Sequence, residues 1–181
     1  CIMREIVVPT RDRVDEKAQK IFDGLNAKLG KVPNIYAVTG YSSEALEDHM
    51  EQTNKVGKGS FSIKEKEAIR LAVSEANGCS YCVAAHTAIA QMNGFSDEDA
   101  LSFRNLSSSH PKLFALTALA ANIVESKGKP SQSNLDNSFD QGFGEKELVD
   151  LVAVILDVTF TNYIHGITKV PIDFPEVPSL N

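Results

Sequence analysis

The sequence predicts an all-α protein of about seven to eight helices in a single domain over residues 1–181. Apolar residues recur with helical spacing along most of the chain, and no convincing pair of strands appears. Ser residues open several of these periodic segments, and Gly or Asn closes them, as expected at helix ends. A chain of 181 residues with 43% hydrophobic and 23% charged residues can bury the core of one soluble domain.

The first half of the chain contains four helical segments. An apolar stripe between Ile21 and Leu29 ends at Gly30, and a short helix can follow the turn at residues 32–34. Ser42 or Ser43 can cap a helix to about Val56.

A capping box at Ser62 and Glu65 predicts a fourth helix from Ile63, and Asn77-Gly78 ends it with a left-handed cap. Its buried stripe contains Ala68, Ile69, Ala72 and Val73.

The second half contains five further segments. We expect helices from Cys79 or Ser80 to Met92, from Ser96 onward, from His110-Pro111 to about Ser126, weakly over 133–141, and over 145–168. The last segment is rich in β-branched residues, but its length favours a helix.

The two ends of the chain carry no helical periodicity. Residues 1–14 are predicted to form an extended N-terminal arm, and residues 169–181, with Pro171, Pro175 and Pro178, an extended tail.

A weak internal echo relates Phe61–His86 to Phe143–His165 and suggests two related helical hairpins. It aligns Glu147 with Glu67 and Asn162 with Cys82, although convergent helix patterning explains it about as well.

Charge and composition argue against several classes of partner. A net charge of −6 without a dense basic block disfavours nucleic-acid binding. The longest apolar stretch, 148–160, is interrupted by Asp150 and Asp157, which favours a buried helix over a membrane span. The first residues lack the apolar core of a secretory signal. We therefore expect a cytoplasmic protein with no nucleic-acid or membrane partner.

The closely spaced cysteines Cys79 and Cys82 are the strongest chemical signal in the sequence. At i and i+3 on the first turn of a helix they lie on one face, where free backbone N–H groups favour a thiolate. This spacing also allows a disulfide to close. His86 follows Cys82 by four residues and projects on the same side, so it can handle the thiol proton.

Glu67 lies on the preceding helix and can reach this site from the side if the two helices fold back on each other. It would then act as a base through water or through His86. A solvated helix acid is the simpler interpretation of Glu67 alone, and Glu75, nearer the turn, is its competitor.

Two alternatives to redox chemistry remain open from the residues alone. Cys79, Cys82 and His86 offer three ligands for a structural zinc, although a fourth is missing. Two inert buried cysteines would explain the same pair. We interpret Tyr81 as a packing residue and Cys1 as incidental. We expect structural roles for His49, His110 and His165.

The array Glu67-x11-Cys79-x2-Cys82-x3-His86 resembles the core motif of AhpD-like alkylhydroperoxidases in the carboxymuconolactone decarboxylase superfamily. The stretch 30–34 and the tail 171–175 resemble those of the peroxidase-related branch, so the resemblance spans nearly the whole chain.

The resemblance implies an AhpD-like helical bundle, a homo-oligomer and a thiol-based reduction of peroxides. Cys82 would attack the peroxide, Cys79 would resolve the sulfenic acid to a disulfide, and Glu67 and His86 would form the proton relay. No metal or other cofactor is then required, because an external dithiol donor, which the chain does not identify, returns the electrons. The substrate would be a small peroxide or a disulfide.

The chain departs from well-known members of the family at Tyr81, where they carry a histidine directly before the second cysteine. Tyrosine does not shuttle protons near neutral pH, so the substrate can also be another disulfide or electrophile. The superfamily further contains decarboxylases without the cysteine pair, and a non-redox enzyme of that kind is the alternative function.

Overall fold

The computed structural model describes residues 5–180, and this part of the chain folds into helices and loops without any β-strand. A short 3₁₀ helix covers Arg11–Arg13. The α-helices are α1 (Glu16–Leu29), α2 (Asn34–Thr39), α3 (Ser43–Val56), α4 (Ile63–Ala76), α5 (Ser80–Met92), α6 (Asp97–Arg104), α7 (Pro111–Glu125), α8 (Gln132–Asp140) and α9 (Glu145–Thr168). Cys1 lies outside the described residues.

The all-α prediction is confirmed, but the described residues contain nine α-helices where about seven to eight were expected. The difference comes from α2 and α8, the segments that the sequence marked only as short or weak, which have 6 and 9 residues. Helices this short are marginal by themselves, so their packing against the rest of the protein stabilises them.

The ends of the helices follow the capping signals in the sequence. The Ser62 side chain accepts from the backbone N–H of Glu65, and the Glu65 carboxylate accepts from that of Ser62, which completes the predicted capping box of α4. Gly30 ends α1 at φ +76°, and Gly78 turns the chain between α4 and α5 at φ +65°. Glycine adopts these left-handed conformations without the steric cost that a Cβ would impose.

The central helix α4 packs against α5, α6, α7 and α9. The largest apolar core lies on this helix, around the fully buried Ile69, Val73, Leu119 and Leu151. A second cluster contains both cysteines together with Tyr81 and residues of α2. The thiol pair therefore lies inside the bundle, at a helix end that several elements cover.

The second hairpin that the internal similarity suggested does not form, because residues 145–168 are one continuous helix, as the helical segment over 145–168 predicted. The echo places Asp157 and Val158 of α9 over Asn77 and Gly78, the residues that break the first segment. Asp157 and Val158 continue a helix where Asn-Gly ends one, so only the first segment folds back on itself.

One face of α9 remains exposed, and it is apolar at Val149, Val152, Leu156, Tyr163 and Ile167. By length and composition α9 is the one helix in residues 5–180 that could cross a membrane, and 44% of its most apolar window is buried inside the bundle. The core helix of a soluble protein meets the same criteria of length and composition. Self-association through such a face stays a prediction.

The C-terminal tail runs without regular structure across the start of α5. The Asn34 side chain donates to the Pro171 carbonyl at 3.0 Å, and the Tyr81 hydroxyl donates to Asp173 Oδ1 at 2.5 Å. Further along, Arg104 donates to the Pro178 carbonyl at 2.8 Å. These contacts hold the tail over the helix end that carries the thiols.

Candidate active site

Cys79 and Cys82 form the sulfur centre of the site at the N-terminus of α5. Cys79 is the N-cap residue, and its sulfur accepts the backbone N–H of Cys82 at 3.3 Å. The two Sγ atoms lie 2.6 Å apart, and both residues are free thiols that are buried from solvent. The predicted placement of both sulfurs on one side of the first turn is thus what the structure shows.

Helix α9 supplies polar partners to the sulfur centre. The Cys82 thiol donates to Thr161 Oγ1 at 3.8 Å. Asn162 lies beside them, and its amide is fixed by Asn77, which donates to Oδ1 at 2.8 Å, and by Ser74 at 3.3 Å. These α9 residues were not predicted from the sequence, because nothing in the local spacing brings positions about 80 residues apart together.

The surroundings of the two thiols shift their pKa values in opposite directions. Contact with Cys82, the backbone N–H of Cys82 and the Asn162 amide lower the pKa of Cys79, although burial opposes this. The contact with Cys79 and burial raise the pKa of Cys82. We therefore place the negative charge of the reduced pair on Cys79, at the free N–H groups of the helix end.

A cleft of about 340 Å³ leads to the sulfur centre and is lined by Cys79 and Ser80. Glu75 and Arg104 form one polar side of the cleft, and the C-terminal tail from Ile172 onward forms another wall. Cys82 does not line this cleft. Cys79 is therefore the sulfur nearer to molecules that enter from solvent.

Glu67 and His86 form the acid–imidazole pair that the sequence predicted. Glu67 is only 1% exposed, and its Oε2 lies 2.8 Å from Nδ1 of His86. The interpretation of Glu67 as a solvated helix acid is thereby wrong. The structure gives no hydrogen bond between the His86 ring and either sulfur, so a proton would pass between them through a further group such as water.

The contact that Arg70 makes with Glu67, and its second contact with Asp157, were not predicted from the sequence. Arg70 donates to Glu67 Oε1 at 2.8 Å and to Asp157 Oδ2 at 2.9 Å. Burial raises the pKa of Glu67, but the contacts with His86 and Arg70 outweigh it and leave that pKa below its ordinary value. The i, i+3 spacing of Glu67 and Arg70 was a usable local signal. No local signal in the sequence indicated that Arg70 would pair with Asp157 on α9.

Glu75 and Tyr81 have other tasks. Glu75 accepts from Arg104 Nε at 2.8 Å and so does not compete for His86. Tyr81, buried as predicted, accepts the Ile35 backbone N–H at 3.2 Å and binds Asp173 of the tail. The residue that replaces the histidine of well-known family members is thus an anchor for the tail.

The remaining histidines lie apart from the sulfurs. His49 is buried and stacks on Phe160 with ring centroids 4.7 Å apart, and burial lowers its pKa. His165 packs against Tyr81, and His110 precedes α7 as its N-cap residue.

The alternative of a zinc bound by Cys79, Cys82 and His86 is not matched by the geometry. Within residues 5–180, no group of three or more His, Cys, Asp or Glu side chains is arranged to hold a metal ion. The His86 ring is committed to Glu67 instead.

Residues 42–108 match the model of the carboxymuconolactone decarboxylase family, and this range contains the whole Glu67–His86 motif. A comparison with curated proteins found no significant match.

Several solved structures share the fold. A peroxidase-related protein of Silicibacter sp. TM1040 superposes with a TM-score of 0.78 at 21% identity, covering 93% of each chain. An AhpD-core peroxidase-related protein of Ralstonia eutropha JMP134 gives 0.79 at 20% identity, covering 91% of this chain and 90% of that one. The debrominase Bmp8 gives 0.79 at 18% identity, covering 96% of this chain and 94% of its own.

The match over residues 42–108 and the fold shared with these proteins agree with the resemblance to AhpD-like members of the carboxymuconolactone decarboxylase superfamily that the motif indicated.

Proposed function

We propose that the chain is a thiol peroxidase that reduces small hydroperoxides through a dithiol–disulfide cycle of Cys79 and Cys82. One observation carries the proposal: two free thiols touch at 2.6 Å on the first turn of α5, one turn before a histidine paired with a buried carboxylate. The match of residues 42–108 to the carboxymuconolactone decarboxylase family model makes an enzyme the expected kind of protein, and the site supplies the chemistry.

The proposed reaction uses the two cysteine thiols, one hydroperoxide and one external dithiol in each cycle. A thiolate attacks the terminal oxygen of ROOH, the O–O bond breaks, and the leaving alkoxide takes a proton to become ROH. The attacking sulfur is then a sulfenic acid. The second thiol attacks it, water leaves, and the Cys79–Cys82 disulfide forms. An external dithiol reduces the disulfide and is itself oxidised, which closes the cycle.

The order of the two sulfurs is a separate part of the proposal. Cys79 lines the cleft and has the lowered pKa, so we propose that it meets the peroxide first and that Cys82 resolves. The resemblance implied the opposite order. Trapping of the sulfenic acid in the two single-serine variants decides between them, because each variant retains only one sulfur of the pair.

The Glu67–His86 pair is proposed to move the protons of this cycle. It would accept the proton of the second thiol, through water, and return it to the leaving oxygen. Positioned acid–base groups of this kind contribute about 10²–10⁴-fold to a rate.

Steady-state turnover of a small hydroperoxide with dithiothreitol as the electron donor tests the proposal. We expect turnover by the wild-type chain, a background rate for Cys79→Ser, and a reduced rate for Cys82→Ser, in which dithiothreitol must reduce the Cys79 sulfenic acid directly. Cys1→Ser is the matched control, and it should keep full activity. Full turnover in the Cys79→Ser, Cys82→Ser double variant, or none in the wild type, would overturn the assignment.

Reductive dehalogenation is a second candidate, favoured by the shared fold with the debrominase Bmp8, one structure of which holds 2,3,4-tribromopyrrole. Two thiols can reduce a carbon–bromine bond to carbon–hydrogen, releasing HBr and forming the same disulfide. Assaying a brominated pyrrole beside the hydroperoxide distinguishes the candidates, since the preferred substrate is the one with the larger kcat/KM.

A further inference from the structure

Glu67 poses a physical problem, because it is a carboxylate with 1% exposure inside an apolar bundle. A buried carboxyl group without partners becomes protonated and can no longer serve as a base. Here each oxygen has one charged or polar partner at 2.8 Å, Arg70 on Oε1 and His86 on Oε2. Arginine remains protonated at any working pH, so it is the partner that keeps Glu67 ionised.

Arg70 is itself clamped from the opposite side. Its second arm donates to Asp157 on α9, and Asp157 is 3% exposed. The other oxygen of Asp157 accepts from the Thr53 hydroxyl at 2.6 Å and lies 3.7 Å from His49 Nδ1. The guanidinium therefore bridges α4 to α9, and α3 holds the far end of that bridge.

We infer that Arg70 and Asp157 are positioning residues: Arg70 keeps Glu67 ionised and oriented toward His86, and Asp157 holds Arg70 in place. The inference rests on the proposed proton-handling role of Glu67 and His86. Neither residue touches the sulfurs, because Arg70 acts through Glu67 and Asp157 acts through Arg70. The planar fork of arginine is required because one group must reach two carboxylates at once, which a lysine ammonium does not do in the same geometry.

The charges around Glu67 make the consequence specific. With a neutral His86 ring, the two carboxylates and one guanidinium leave the cluster at a net −1. Glu67 contacts Arg70 on α4 and His86 on α5. Lys66 on α4 and Tyr36 on α2 are its further titratable neighbours. Asp157 on α9 lies across Arg70, with His49 on α3 behind it. Loss of Arg70 would place two buried carboxylates together with only His86 in contact, so Glu67 would take up a proton at higher pH.

The Nδ1 atom of His86 must carry the proton in this arrangement, because an ionised carboxylate only accepts hydrogen bonds. Nitrogen-15 shifts of the ring report this tautomer directly, without any substrate. In Arg70→Gln we expect loss of the pure Nδ1–H signature. We also expect a fall in kcat of about 10-fold, a part of what an acid–base pair contributes, with little change in KM.

The pH profile provides a second readout. A raised Glu67 pKa moves the acid limb of kcat toward higher pH in Arg70→Gln. Arg70→Lys should show a smaller shift, because it keeps the positive charge but not the planar guanidinium, and it keeps the test available if Arg70→Gln fails to fold. Asp157→Asn removes a neighbouring negative charge, so it should not move the limb toward higher pH.

Arg104→Gln is the matched control, since it removes another buried guanidinium that pairs with an acid, Glu75, away from Glu67. It should lower stability to a similar extent while leaving the His86 ring signature unchanged. A wild-type signature and acid limb in folded Arg70→Gln, or in Arg70→Lys where Arg70→Gln does not fold, would overturn the inference. If the wild type has no hydroperoxide turnover, the proposed function fails, and the ring signature still tests the role of Arg70 alone.

Discussion

The segment α4–turn–α5 and the helix α9 begin with similar sequences and end as different structures. Both enter with Phe and an acidic turn and continue with a long apolar stretch. The first breaks at Asn77-Gly78, with Gly78 at φ +65°, whereas α9 runs unbroken for 24 residues. The break creates a second helix start, and Cys79 caps it.

Because of this difference, α5 carries the two thiols and α9 supplies side chains that contact the site. A new helix start has free backbone N–H groups, which favour a thiolate on Cys79. A continuous helix has none in its interior, but it can present side chains along its length. Accordingly α9 supplies Asp157 to Arg70, Thr161 to Cys82 and Asn162 to Asn77.

We expect the largest difference in stability loss between substitutions of the aligned acids Glu67 and Glu147. Glu67 is buried between Arg70 and His86, and Glu147 accepts the backbone N–H of Gly144 at its own helix start. Glu67→Gln leaves a buried guanidinium short of one partner, and we expect a loss of about 3–5 kcal/mol in the free energy of unfolding. Denaturant titration measures it, and Glu147→Gln should show a much smaller loss.

The effect of Glu67→Gln should depend on pH. The folded-state pKa of Glu67 lies below its ordinary value of 4.5, so the unfolded chain binds the proton first as the pH falls. The stabilisation by the carboxylate is therefore complete above about pH 4.5 and is lost as the pH falls through the folded pKa. A wild-type advantage over Glu67→Gln that is unchanged well below this range would contradict the ionised state.

Asn162, aligned with Cys82 by the echo, should give the next largest effect. Asn162→Ala removes hydrogen bonds to Asn77 and Ser74 and an amide that lowers the pKa of Cys79. We expect a loss of about 1–3 kcal/mol, because buried polar partners are left unpaired. The pH midpoint of alkylation by iodoacetamide should rise. The exposed Asn26→Ala is the control, and an unchanged midpoint in Asn162→Ala would rule out this role.

Two glycine-to-alanine substitutions test the helix break at Gly78, because we expect them to change stability in opposite directions. Gly78→Ala puts a Cβ on a left-handed residue and should cost about 1–2 kcal/mol. Gly166→Ala adds a Cβ with open space around it inside α9 and should stabilise by about 0.5–1 kcal/mol. Thermal unfolding of the two variants gives the signs, and a destabilised Gly166→Ala would disprove the regular helix at that position.

The smallest expected effect concerns the tail over α5. Tyr81→Phe removes the hydroxyl that accepts from Ile35 and donates to Asp173. We expect a loss of about 1 kcal/mol. Faster alkylation of Cys79 should accompany it, because the tail forms a wall of its cleft. Tyr41→Phe, which removes an exposed bond to Val7, is the control. Equal alkylation rates in the two variants would exclude tail anchoring by Tyr81.

Local signals predicted most of the fold and half of the site. Capping residues and apolar periodicity fix helix boundaries, which is why α4 and α5 begin and end where the sequence indicated. The contact of Cys79 with Cys82 follows from their spacing alone. The pairing of Glu67 with Arg70 and His86 joins two helices through a short turn, and the spacing allowed it without requiring it.

Contacts made by α9 were beyond sequence reasoning. Asp157 was recognisable as an acid inside an apolar helix, but its partner Arg70 lies 87 residues away. The same echo that misplaced a second hairpin aligned Asn162 with Cys82, yet it did not indicate that Asn162 lies beside the thiols. Such partnerships arise from packing of distant helices, which one sequence does not specify locally.

The most direct test of the redox-active pair is the thiol count before and after one equivalent of hydroperoxide, measured under denaturing conditions. In the Cys1→Ser variant, which retains only Cys79 and Cys82, we predict that both thiols disappear together and return after treatment with dithiothreitol. Retention of both free thiols after peroxide would contradict the account.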